Sequence, residues 1–280
     1  MPRSIWKGAI SFGLVTIPVK LYSATEEKDI SFRQVHPADG GRIKYKRVCD
    51  TCGEEIPFAE IAKGYETPDG RLAILEKEDF DNLPLPTTKA VEVVQFVDQD
   101  EVDPTYFAKT YFLEADGPGV KPYVLLRDAL TASNRAAVVK VALRSRENLA
   151  LIRVKDNQLL MHTMLWPDEI RDGAFAAPPA EVTVSDAEIT MAQTFIDALT
   201  GEFEPDQFTD SYREALEEVV NAKLAGAAPP EESAPAAQEA DVVDLVAALR
   251  ASVEAAKQRR EAKAGGSDSK TAKGSKSKAG

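Results

Sequence analysis

Residues 42 to 55 read RIKYKRVCDTCGEE and concentrate most of the chain's reactive side chains in one place. In an extended strand side chains alternate between faces. Arg42, Lys44 and Lys46 would then share one face, spaced about 6.6 to 6.8 Å apart. Such a ladder of cations can meet the phosphates of a nucleic-acid strand, about 3.4 Å apart. The plain alternative is a solvated strand face balanced by nearby acids. Cys49-x-x-Cys52 follows at once, and these are the only cysteines. A closed structural zinc site takes four ligands. His36 stands upstream and is one candidate third ligand; a second subunit's cysteine pair is another source. A redox pair needs a thioredoxin-like βαβ setting, which the surrounding sequence lacks. Free thiols in a hairpin remain the simplest alternative, so zinc on Cys49 and Cys52 is an open expectation.

Catalytic patterns are missing. Neither GxxxxGK[ST] nor GxGxxG occurs, and neither HExxH nor GxSxG. With two histidines in the chain, few nucleophile–base pairs can be built. His162 lies in the alternating stretch QLLMHTMLW and reads as a packed strand residue rather than a base. The acid pairs, such as Glu54-Glu55 and Glu78-Asp79, read as solvated. No enzyme is expected.

The 280 residues carry a formal net charge of −12, distributed unevenly. Residues 257–280 hold +6, residues 226–256 hold −5, and the rest hold −13. A nucleic-acid partner would therefore require the acidic body to gather its cations on one surface. The apolar runs fall well short of the ~18 residues of a membrane helix. MPRSIWKGAIS lacks the apolar core of a secretory signal, so cytoplasmic residence is expected.

The elements that must position these groups divide the chain into four parts. Residues 1–180 read as a β-rich core, with strands over IWKGAISFGLVTIPVKLYSA, KAVEVVQFVDQDEV and AKTYFLEAD. A meander follows over VVKVALR, NLALIRVK and QLLMHTMLW, with turns at 145–147 and at Asp156-Asn157. Many short strands with regular turns predict a barrel, interrupted by a helix over KPYVLLRDALTASN. Residues 181–225 switch to helical period as a helical arm. Ser185 and Glu188 form a capping box, and Ile189, Ala192, Ile196 and Leu199 fall on one face. Residues 226–256 hold a linker and a short helix whose stripe Val242, Val246, Leu249 and Val253 reads as a docking surface for the same chain or a partner. Residues 257–280 read as a disordered tail. Its Lys270, Lys273, Lys276 and Lys278 can neutralise phosphates but cannot read bases.

Four stretches go further. WKGAISFGLVTIPVKLYSA, RIKYKRVCDTCGEEIPFAEIAKGYE, LLMHTMLWPDEIR and DVVDLVAALRASVEAAK resemble, in order, segments of the bacterial Ku family. The resemblance implies a mixed α/β, β-rich fold: a β-barrel core with a C-terminal helical arm, paired as a ring-forming homodimer with a flexible basic tail. It implies binding of double-stranded DNA ends in non-homologous end joining, with no catalysis, and leaves zinc on the cysteine pair open, no other cofactor being expected. It also implies a multidomain ATP-dependent DNA ligase as partner, recruited through the C-terminal region and its apolar stripe. A ring needs only phosphate contacts. The ladder thus becomes a candidate inner surface, joined by Lys7, Lys20, Lys109, Lys140, Arg144 and Arg146, chosen for their places in strands and turns. The competing reading is a zinc-binding regulatory or adaptor protein whose tail alone touches DNA.

Overall fold

The computed structural model describes residues 2–81, 83, 89–143, 146–228 and 245–267. They fall into two compact units that divide between Asp172 and Gly173.

In the first unit seven strands close into a barrel. In chain order they are β1 (Trp6–Phe12), β2 (Val15–Ser23), then, after a long connection, β5 (Ala90–Asp98), β6 (Phe107–Ala115), β7 (Arg135–Leu143), β8 (Arg146–Lys155) and β9 (Gln158–Met164). The connection carries a small hairpin of β3 (Lys63–Glu66) and β4 (Leu72–Leu75) and a short helix, α1 (Lys77–Asp81). Around the barrel the order is β1-β2-β6-β9-β8-β7-β5, and the ring closes where β1 runs parallel to β5.

Strand alternation fills the interior. Ile10, Ile17, Val19, Leu21, Val91, Val139, Val141, Ile152, Leu159 and Met161 all point inward into one core. Helix α2 (Val120–Ser133) adds Leu126 and Leu130 to it. The hydroxyl of Tyr123 on α2 donates to Leu113 O at 2.8 Å and accepts from the Leu159 N–H at 2.8 Å, joining the helix to β6 and β9. Gly8 sits at the closing seam. A Cβ there would lie 2.1 Å from the Trp6 ring and 2.4 Å from Lys89 O, so only glycine lets β1 and β5 approach. The predicted β7-β8-β9 meander is present. Asp156 and Asn157, both at positive φ, make the two-residue turn that the right-handed twist of a hairpin favours.

The predicted strand over the cationic ladder is absent. Residues 42–47 make only an isolated bridge between Val35 and Arg42, with a second bridge between Val48 and Glu55. No described residue between Ser23 and Leu83 is buried, and Phe32, Tyr45, Phe58 and Ile74 are 66%, 75%, 75% and 66% exposed. Alternation alone could not show this, because a strand face needs a neighbouring sheet to define it. Here the chain makes local turns instead.

The second unit contains α3 (Asp186–Leu199), α4 (Ser211–Leu224) and α5 (Leu245–Ser267). The capping box stands: the Ser185 hydroxyl accepts from the Glu188 N–H, and the Glu188 carboxylate accepts from the Ser185 N–H at 2.7 Å. Helix α5 packs on α3 and continues to Ser267, into the stretch read as tail. The α3 face over Met191, Phe195 and Ala198 is half-buried, whereas Ile189, Ile196 and Leu199 point outward and are exposed. Periodicity marked one apolar face, and tertiary packing covers the adjacent one.

Candidate functional site

The long connection between β2 and β5 carries the cationic ladder and the cysteine pair. Its turns are fixed locally. The Ile43 N–H donates to Gln34 O at 3.1 Å, the Cys49 N–H to Glu54 O at 2.9 Å, the Gly53 N–H to Cys49 O at 2.9 Å and the Ile56 N–H to Arg47 O at 2.8 Å. Gly53, at φ 73°, allows the chain to reverse within the CDTCG turn. Arg42 and Lys44 are exposed and have no carboxylate within 4.0 Å among the described residues, while Lys46 is paired with Glu55 at 2.6 Å. Arg47 lies over the Phe58 ring and Lys63 over the Phe80 ring, at 5.2 and 4.3 Å from the centroids. The segment is thus cationic and aromatic together, a combination suited to phosphates and sugar edges.

The thiols occupy this same turn. Backbone N–H groups of Cys52 and Thr51 directed at Cys49 hold its thiol below the ordinary cysteine value. His36 does not join them: its Nδ1 lies 3.1 Å from the Asp39 carboxylate. No group of three or more His, Cys, Asp or Glu side chains among the described residues could hold a metal. The described residues therefore bring together two of the four ligands that a closed zinc site takes.

The barrel cations separate into distinct places. Lys7 and Lys20 stand opposite each other on the outer face of β1 and β2. Lys20 is bonded to the Asp116 carboxylate at 2.7 Å, which raises the lysine and lowers the acid from their ordinary values. Lys109 and Arg146 come together across the mouth of the barrel. With Trp6, Tyr111, Asn148 and Thr163 they line a cavity of about 320 Å³. Lys140 is on the outer face of β7, 3.8 Å from Glu147 and 5.9 Å from the centre of the Trp166 ring. Arg144 lies outside the described residues, as do Lys270, Lys273, Lys276 and Lys278. Of the apolar stripe, Val242 lies outside them too. Val246 and Leu249 are half-buried, and Val253 is 5% exposed in the unit where α5 packs on α3. Of the described stripe residues, only Val253 is buried within its own chain.

Two cations were not singled out by their sequence pattern. Arg153 and Lys155 share the outer face of β8, because Ile152 and Val154 between and beside them point into the core. The signal was present in LIRVKD as cations two residues apart in a strand. It was hidden because both faces of the β7-β9 meander read as apolar.

Residues 11–191 match the family described as the Ku70/Ku80 beta-barrel domain. Among curated relatives, a protein of Frankia casuarinae named "Non-homologous end joining protein Ku" is 52% identical over 255 residues, covering 91% of this chain and 64% of its own length. A protein of Saccharopolyspora erythraea named "Non-homologous end joining protein Ku 2" is 48% identical over 261 residues, covering 92% and 85%. A Mycobacterium tuberculosis protein named "Non-homologous end joining protein Ku" is 44% identical over 260 residues, covering 90% and 95%. The chain therefore spans a little under two thirds of the first of these relatives. No helix among the described residues is long and apolar enough to cross a membrane.

Proposed function

Because the chain belongs to the Ku family, we propose that it binds the ends of double-stranded DNA in non-homologous end joining, as a homodimeric ring with no catalysis and no sequence preference. The observation that carries this reading is the long connection from Ser23 to Leu83. It is rich in exposed apolar and cationic side chains, and none of its described residues is buried. A segment that buries so little cannot offset its own ordering entropy in isolation, so it calls for a partner surface. A second copy covering its apolar groups, with duplex against Arg42, Lys44 and Arg47, satisfies both halves of its chemistry. Contacts to phosphates alone would leave sequence unread, in keeping with the mixed and scattered barrel cations.

The net charge does not oppose this. Acidic groups can remain on outer surfaces while Arg42, Lys44 and Arg47 face the duplex, and such binding weakens steeply with salt. The multidomain ATP-dependent ligase is the proposed protein partner. Since Val253 is buried in its own chain, recruitment through the Val246, Leu249 and Val253 stripe would require α5 to leave α3. The zinc-adaptor alternative is weaker, because among the described residues only two zinc ligands come together.

The test compares one DNA sequence in linear and covalently closed circular form, using the full-length protein at physiological salt, with its mass measured by sedimentation. The expected result is a dimer that retains linear DNA and not the closed circle. Equal retention of both forms, or a monomer at micromolar concentration, would sink the ring.

A further inference from the structure

A groove of about 320 Å³ crosses the outer face of the barrel where β6, β9 and β8 meet the residues that leave β2. Its apolar floor includes Phe112 and Leu160, and its polar wall includes Arg153, Lys155, Gln158 and Thr25. Arg153 Nε donates to His162 Nε2 at 2.8 Å. That bond fixes the tautomer, because Nε2 accepts. The ring proton is then on Nδ1, which donates to Thr110 Oγ1 at 2.9 Å. His162 is only 6% exposed and its ring lies 5.2 Å from that of Phe107, so the imidazole is a rigid anchor.

The unusual feature is what the anchor lacks. A guanidinium held in place is ordinarily held by a carboxylate, which also cancels its charge. Here it is held by a neutral ring, and the charge is left over. Neither Arg153 nor Lys155 has a carboxylate within 4.0 Å among the described residues, although Asp156 lines the same groove. With Nε engaged, the two terminal nitrogens of Arg153 remain as a planar fork suited to two oxygens of one anion. Thr25 and Gln158 add neutral donors.

We propose that this groove is a phosphate-binding site, with Arg153 as its bidentate donor, Lys155 as a second cation and His162 as the positioning residue. Its occupant is a backbone phosphate of the bound duplex. This deepens the DNA-binding reading and rests on it for the identity of the phosphate.

The experiment titrates full-length wild type, R153Q and K155Q with a linear duplex over a series of salt concentrations. Lys155 is exposed, so K155Q remains informative should R153Q fold poorly. Each substitution is expected to weaken binding roughly 3- to 10-fold and to flatten the slope of log K against log salt by about 0.9 for each phosphate no longer neutralised. The same proteins are titrated with inorganic phosphate, followed by phosphorus NMR. Phosphate binding that disappears in R153Q, together with an unchanged DNA slope, would overturn the duplex as occupant and assign the groove to a free phosphate ligand. An unchanged salt slope and an unchanged phosphate response in both variants would overturn the site. If the wild type fails to bind duplex at all, the DNA-end reading falls on its own, and the phosphate titration alone then decides the groove.

Discussion

Arg153 donates from Nε to Nε2 of His162 at 2.8 Å, so a buried imidazole is held neutral by the cation it supports. Burial first, and the Arg153 charge second, lower the His162 pKa to about 4.

This fixes a pH dependence. His162 takes up its proton near pH 6.5 when unfolded and only near 4 when folded. Between those values the unfolded chain binds more protons, so stability is complete above about pH 6.5 and falls as the pH drops towards 4. Urea melts at pH 7.5 and pH 5 should differ by about 2 kcal/mol from this group. Substituting His162→Gln should remove that difference. An equal difference in wild type and variant would show that His162 is not its source. The window stays above pH 5 because carboxylates lowered by their partners, such as Asp116 and Asp103, add their own losses only in stronger acid.

The barrel seam should be intolerant of any side chain at Gly8. A methyl there meets the Trp6 ring and the Lys89 carbonyl. Gly8→Ala is expected to cost roughly 1–3 kcal/mol through overpacking, read as a fall in thermal midpoint. Gly13 is the control. It is at φ 58° with open space around its missing Cβ, so alanine there should cost only about 1 kcal/mol from its left-handed backbone. A Gly8→Ala protein as stable as wild type would show that the seam relaxes.

Tyr123→Phe removes one hydroxyl and leaves two backbone groups without their partner, Leu113 O and the Leu159 N–H. A loss of about 1–3 kcal/mol is expected. Hydrogen exchange should rise at the Leu159 amide more than at the neighbouring core amides of β9. Uniform acceleration would argue for general loosening instead.

Val253→Asp places a carboxylate where a side chain is 5% exposed. The expected result is release of α5 from α3, seen as faster hydrogen exchange over residues 245–267, at a cost of roughly 2–4 kcal/mol to that packing. If exchange there is unchanged, α5 does not depend on this residue for its packing.

Local features that depend only on nearby residues were legible in the sequence. The Asp156-Asn157 turn, the Ser185–Glu188 cap and α2 with its left-handed Asn134 end all follow from short-range chemistry. So did the barrel, because many short strands follow one another with regular turns, and so did the family, because its stretches keep their order. The cationic ladder misled, since 42–47 has strand-like alternation but no sheet beside it to pair with. Which face of α3 is covered was equally hidden: Ile189, Ile196 and Leu199 look like a core stripe, yet they are exposed, and tertiary packing half-buries the Met191 and Phe195 side.

Charge followed the same division. Composition alone established an acidic body and a basic stretch over residues 257–280. Tertiary structure alone decided which cations are neutralised, as Lys20 is by Asp116, and which keep their charge, as Arg153 does on His162. The partners of a side chain across a sheet are set by barrel closure and register. These bring together residues far apart in sequence, and no local pattern records them.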